Sequence, residues 1–134
     1  MATIKSFEDI EVWKKARQLS NDIYKLTLEG SFAKDFYLRD QINRSSGSVM
    51  DNIAEGFERG SKNEFVQFLS YSKGSAAETR SRSQLYRAFD RNHITEVVFH
   101  KLIEDTQEIG KMVGGFMSYL NTSEIKGTKF KNRV

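Results

Sequence analysis

Apolar residues return at steps of three and four along most of this 134-residue chain. Ile10, Trp13, Ala16, Leu19, Ile23 and Leu26 form the first such series, and Ser6 with Asp9 ahead of it fits a capping box. A helix is therefore predicted over 7–29, stopped by Gly30 and Ser31. A second series through Leu38, Ile42, Val49, Ile53 and Phe57 predicts a helix over 34–59, ended by Gly60. Ser61 with Glu64 is a better capping box, and it opens a third helix over 62–91 that carries Phe65, Phe68, Leu69, Ser72, Ala76, Tyr86 and Phe89. Asn92 supplies the left-handed turn that often follows a helix. Thr95 then caps a fourth helix over 95–120, with Phe99, Leu102, Ile103, Ile109, Val113, Met117 and Leu120 on its apolar side.

Long helices joined by such short connections must alternate in direction. The predicted fold is all-α, an antiparallel up-down-up-down four-helix bundle built from residues 1–120 and followed by a flexible basic tail over 121–134. Reflecting the chain about Gly60 and Ser61 sets Gly56 level with Phe65, Gly47 with Gly74, Ser45 with Ala76 and Ser46 with Ser75. The expectation is a close approach of small residues around Gly47 and Gly74, and room at Gly56 for the Phe65 ring.

Composition sharpens this picture at two points. The chain contains no proline, although about 5% is usual, which favours uninterrupted helices. It also contains no cysteine, which removes disulfides, thiolate metal sites and cysteine nucleophiles together. No apolar run approaches the roughly 18 residues of a membrane-spanning helix, and the start MATIKSFEDI has no secretory pattern, so the cytoplasm is the expected location.

The formal net charge is +3, and the segment 121–134 alone accounts for it through Lys126, Lys129, Lys131 and Arg133 against Glu124. Residues 59–91 form a second basic zone, with seven bases against three acids. Within it Lys73, Arg80, Arg87 and Arg91 recur at seven, seven and four residues, a spacing that places them on one helical stripe. Such a stripe suits either phosphate contacts or an ordinary charged surface. The absence of helix-turn-helix, RRM or KH signatures points any nucleic-acid binding toward backbone and shape.

The stretch NIAEG holds the polar residues most suggestive of chemistry, Asn52 and Glu55. A catalytic amide and acid would need further partners, and none is evident. The structural reading has Glu55 in the last turn of its helix reaching Arg59, while Asn52 satisfies neighbouring backbone or fixes register. No phosphate-binding glycine loop or nucleophile elbow occurs, and the Glu-x-x-His pairs of a di-iron bundle are missing. His100 between Glu96 and Glu104 fits a solvated ion-paired face, and His93 falls in a turn. No catalytic residue, metal site or cofactor is expected. Gly110, Gly114 and Gly115 inside the fourth helix point to close packing or local fraying. Phe7, Phe32, Phe36, Tyr37, Phe57, Tyr71 and Tyr119 exceed what one stripe per helix can bury, which predicts contacts between subunits.

Three motifs carry a family likeness: F-x-D-I-x-V-W-x-x-A, then L-x-x-Q-I-x-R-S-S-x-S-V-x-x-N-I-A-E-G, then E-F-x-x-F-L-x-x-x-x-G-S-A-A-E. Over about residues 7–120 the chain resembles the four-helix-bundle family encoded in 23S ribosomal RNA intervening sequences, to which the accessory variability determinant proteins of diversity-generating retroelements are related. The resemblance implies a protomer that assembles into a ring-like pentamer and a proposed affinity for nucleic acid. It implies that Trp13, Gln41, Asn52, Glu55, Gly56, Phe65, Gly74, Ser75 and Glu78 serve fold or assembly. The chain departs from the family at Ala33, at Asn92-His93, and at TRSRSQLY (79–86), where the doubled Arg-Ser resembles a two-residue insertion. The function expected is that of a non-enzymatic homo-oligomer binding structured RNA or DNA through Lys73, Arg80, Arg87, Arg91, Lys129 and Lys131. The alternative is a protein scaffold or accessory subunit, for example for a reverse transcriptase.

Overall fold

The computed structural model describes residues 4–81 and 84–122, and these are all-α. Among the described residues one 3-10 turn, Phe7–Asp9, precedes six α-helical segments: α1 Glu11–Leu26, α2 Gly30–Lys34, α3 Phe36–Glu58, α4 Lys62–Ser81, α5 Gln84–Asp90 and α6 Glu96–Thr122. Residues 82–83 and 123–134 lie outside the described residues, and with them the tail positions Lys129 and Lys131.

Several helix ends follow their sequence signals. Gly60 and Asn92 have φ of 82° and 61°, the left-handed geometry that closes a helix. The Glu64 amide donates to the Ser61 hydroxyl at 3.2 Å, and the Val98 amide to the Thr95 hydroxyl at 3.2 Å. Other ends differ from expectation. The first helix does not run through 7–29, because the Asp9 carboxylate accepts the amides of Lys5 and Ser6, closing one tight turn, after which Ile10 is extended. At its far end Thr27 turns its hydroxyl back onto the Tyr24 carbonyl. Gly30, expected only to stop that helix, has φ of 61° and opens the short α2, which buries Phe32.

Asp35 then separates α2 from α3, and a tertiary contact explains the break. Its Oδ2 accepts from Arg91 at 2.8 Å and from His93 Nε2 at 2.9 Å. A carboxylate only accepts, so Nε2 carries a proton, and the other ring nitrogen, Nδ1, pairs with the Ser31 hydroxyl at 2.7 Å. The His93 ring is buried and stacks on Phe32 at a centroid distance of 4.9 Å. This latch ties the start of α3 to the α5–α6 turn. The His93 hydrogen bond, then Arg91, holds the Asp35 carboxyl below the usual carboxylate range. A depressed folded-state value adds stability above the unfolded value of about 3.9, and that stability disappears as pH falls through the folded value. An Asp35→Asn variant is expected to lose about 1–2 kcal/mol at neutral pH. Its stability should also fall less steeply than wild type below about pH 4, as followed by thermal melts against pH.

Helices α1, α3, α4 and α6 surround one core, in which Ala16, Ile42, Val49, Ile53, Phe65, Leu69, Ile109 and Val113 are inaccessible to solvent. Contacts fix relative directions. Phe57 meets Phe65, Val49 meets Ser72, and Ser45 meets Thr79, so α3 and α4 run oppositely. Lys15 reaches Asp105 while Lys101 reaches Asp22, so α1 and α6 do the same.

The seam between α3 and α4 is polar and narrow. Ser72 donates to the Val49 carbonyl at 2.7 Å, Ser75 to the Ser48 hydroxyl at 2.9 Å, and Ser45 pairs with Thr79 at 2.8 Å. Small residues do meet here, but the expected pairing of Gly47 with Gly74 does not occur. A Cβ on Gly47 would approach Ser20 of α1, and one on Gly74 would meet nothing within 4 Å. Both glycines lie off the line of contact, which the serines occupy. At Gly56 the expectation holds, and a second ring joins in: a Cβ there would stand 2.5 Å from Phe68 Cβ and 3.1 Å from Phe65 Cδ1.

The third predicted helix, 62–91, is described as α4 and α5. Along α4 the buried positions are Phe65, Leu69, Ser72, Ala76 and Thr79, and an unbroken continuation would bury Tyr86. Tyr86 and Arg87 are instead exposed, while Leu85 and Ala88 are buried. The apolar stripe therefore arrives two residues late, as an inserted Arg-Ser would require.

Candidate nucleic-acid interface

Two residues correspond to a rotation of roughly 200° about a helix axis, and that rotation divides the predicted basic stripe. Lys73 and Arg80 stay together on α4. Arg87 turns away on α5, exposed, and Arg91 is drawn into the latch with Asp35.

Lys73 and Arg80 instead meet α6. With Gln107, Gly110 and Lys111 they line an open concavity of about 410 Å³. The side chain of Lys73 lies along α6, its Nζ 3.6 Å from where a Cβ on Gly114 would stand. That is ordinary contact with a flexible tip, Gly110 and Gly115 have open space beside them, and α6 continues through all three, so neither close packing nor fraying is seen at these glycines. No carboxylate among the described residues lines the groove. Among the described residues Lys73, Arg80 and Lys111 form no ion pair, as is also true of Lys5, Arg17, Lys25, Lys34, Arg44, Lys62 and Arg87, whereas Lys14, Lys15, Arg39, Arg59, Arg91 and Lys101 are paired. The three differ in sharing one concavity. Three uncompensated cations in one concavity create a local positive potential suited to phosphate oxygens. Sequence reasoning missed Lys111 and Gln107. Their spacing of four residues on α6 was visible, but only the packing of α6 on α4 joins them to Lys73 and Arg80.

The family-motif residues hold structural positions. Trp13 packs edge-on against Phe7 at 5.1 Å. Asn52 donates to both the carbonyl and the hydroxyl of Ser48 at 2.9 Å, and that hydroxyl also accepts from Ser75, so Asn52 braces the α3–α4 seam. Glu55 is exposed and bonds Arg59 at 3.0 Å, as its spacing predicted. Phe65 is enclosed by Phe57 and Phe116. Glu78 accepts from Gln84 at 3.4 Å, at the edge of a buried cluster where Gln84 also meets Ser45. Gln41 donates to Tyr37, and its Oε1 is buried with no partner among the described residues. His100 approaches Glu96 at 3.7 Å on an exposed face. Among the described residues no group of three or more His, Asp or Glu side chains could hold a metal ion, and no helix is long and apolar enough to cross a membrane.

A crystal structure of a protein with unknown function from the S23 ribosomal protein family of Bacteroides thetaiotaomicron VPI-5482 is similar in fold, with a TM-score of 0.69 at 25% sequence identity. The alignment covers 80% of this chain and 95% of that one. No curated protein matches the sequence. The sequence model of the 23S rRNA-intervening sequence protein family matches residues 8–115, a span that includes α1 to α5, the α3–α4 seam and the groove residues Lys73, Arg80 and Lys111, and the chain belongs to that family.

Proposed function

We propose that this protein is a non-enzymatic, homo-oligomeric four-helix bundle that binds structured RNA or DNA through the cationic groove between α4 and α6. The observation that carries this reading is the concavity shared by Lys73, Arg80 and Lys111, with no lining carboxylate among the described residues. The family's association by name with 23S rRNA intervening sequences makes structured ribosomal RNA the first ligand to try. Self-association is supported by Phe36 and Tyr37, 63% and 73% exposed, beside the unpartnered Gln41 Oε1. The pentameric number and cytoplasmic location are taken from the resemblance and the composition. The same aromatic surface favours a second reading, a scaffold whose partner is protein, such as a reverse transcriptase.

Salt separates the two readings. Each phosphate contact contributes about −0.7 to −0.9 to the slope of log affinity against log salt, so three contacts per protomer predict a slope of about −2 to −3. Affinity for a labelled 23S rRNA stem should fall roughly 20- to 40-fold between 50 and 200 mM salt. An apolar protein interface would change far less. Fluorescence anisotropy across a salt series, with light scattering on the same samples, gives slope and oligomer size together. A monomer that binds no nucleic acid at low salt overturns the proposal.

A further inference from the structure

The cations of the groove are gathered rather than strung out. Lys73 and Arg80 stand two turns apart on α4, about 10.5 Å at 1.5 Å per residue, and Lys111 faces them from α6. Among the described residues no further cation stands within two turns of them along these faces. One and two turns before Lys73, the α4 positions are Ser70 and Val66, and one and two turns after Lys111 the α6 positions are Gly114 and Ser118. In the other direction Glu104 stands two turns before Lys111, Arg87 is rotated away, and Arg91 is held by Asp35. A duplex or extended strand carries one charge per phosphodiester at regular intervals, and following it requires cations at regular intervals too. Among the described residues this groove supplies three charges in one place, with neutral or acidic positions for two turns on either side.

We infer, building on the reading of the groove as a phosphate site, that it recognises a compact phosphate carrying two or more negative charges, at the end of an RNA strand or in free diphosphate form. A terminal phosphate monoester carries roughly −1.5 to −2 at neutral pH, and its first phosphodiester adds one more, which together match the three cations. Arg80 offers the planar fork suited to bidentate phosphate binding, with Lys73 and Lys111 as point charges on either side. Gln107, the neutral member of the lining, can donate to a bridging or ester oxygen without adding charge. Gly110 keeps side-chain bulk out of the groove.

The test uses one short RNA labelled at its 3′ end and prepared with either a 5′-phosphate or a 5′-hydroxyl, with inorganic pyrophosphate as competitor. The 5′-phosphate form should bind on the order of tenfold tighter or more, the effect of charge-assisted contacts present in one ligand and absent from the other. Arg80→Gln and Lys111→Gln should each reduce that preference while leaving circular dichroism and the melting temperature unchanged. Equal affinity for the two RNAs, with no displacement by pyrophosphate, overturns this inference and leaves backbone binding intact. Pyrophosphate binding without RNA binding overturns the nucleic-acid reading and identifies a free polyphosphate as the groove's ligand. Binding of neither overturns both.

Discussion

Replacing Lys73, Arg80 and Lys111 together with glutamate is expected to lower affinity for a 23S rRNA stem by about a thousandfold or more at 50 mM salt, since each charge-assisted contact is worth about 1.5–3 kcal/mol. The substitution removes the three cations and places three carboxylates where phosphate oxygens would lie. Because none of the three is ion-paired among the described residues, no internal partner is orphaned by the change. The melting temperature should therefore stay close to wild type, which separates lost binding from lost folding. Lys14, paired with Glu11 on an exposed part of α1, provides the control. Its reversal to glutamate should alter affinity less than threefold. A triple variant that still binds within tenfold of wild type would move the interface elsewhere on the molecule.

The second large effect is steric. Gly56→Ala places a carbon 2.5 Å from Phe68 Cβ, well inside the 3.5–4.0 Å at which carbon atoms rest. Phe68 Cβ is attached directly to the α4 backbone, so no rotamer change relieves the overlap, and α3 and α4 must separate. Overpacking of this kind costs about 1–3 kcal/mol, and the seam's hydroxyl contacts would lengthen as well. Alanine's better helix propensity returns about 1 kcal/mol, which the weakened seam contacts offset, leaving a net loss of roughly 2 kcal/mol. For a chain of this size that lowers the melting temperature by on the order of 5–10 °C. Gly74→Ala gives the opposite sign. Its Cβ meets nothing within 4 Å, so only the propensity gain of about 1 kcal/mol remains, and the melting temperature should rise by a few degrees. Calorimetry of both variants checks the pair, and a stabilised Gly56→Ala would mean that the two helices adjust freely at their turn.

These contrasts show which features could be read from the chain. Gly60, Ser61, Asn92 and Thr95 act on backbone within four residues of themselves, and their helix ends matched expectation. Asp35 acts on Arg91 and His93, more than fifty residues away, and the break it causes had no local signal. Level positions across the α3–α4 turn were legible near the turn, at Gly56 and Phe65. They failed near Gly47 and Gly74, because distance along an axis says nothing about which side of the helix a residue occupies. The basic stripe had a related weakness. A seven-residue repeat describes one face only while the helix phase is kept, and the two-residue delay between Thr79 and Leu85 moves Arg87 to another face. The doubled Arg-Ser, which resembles a two-residue insertion, marks the segment where this delay falls. Lys111 became part of the groove only through the packing of α6 on α4, a relation between distant segments.

The latch also bears on the order of events in folding. Its hydrogen bonds join residues 56, 58 and 62 positions apart, whereas the Ser61 cap spans three and the Phe57–Phe65 contact eight. Closing a long loop carries an entropic cost before any contact rewards it, so the α3–α4 hairpin is expected to assemble early and the latch to close late. Contacts that form after the rate-limiting step affect escape from the native state more than arrival at it. Loss of the Asp35 carboxylate should therefore leave the refolding rate nearly unchanged and accelerate unfolding, which would make this corner of the molecule the determinant of how long the native state persists.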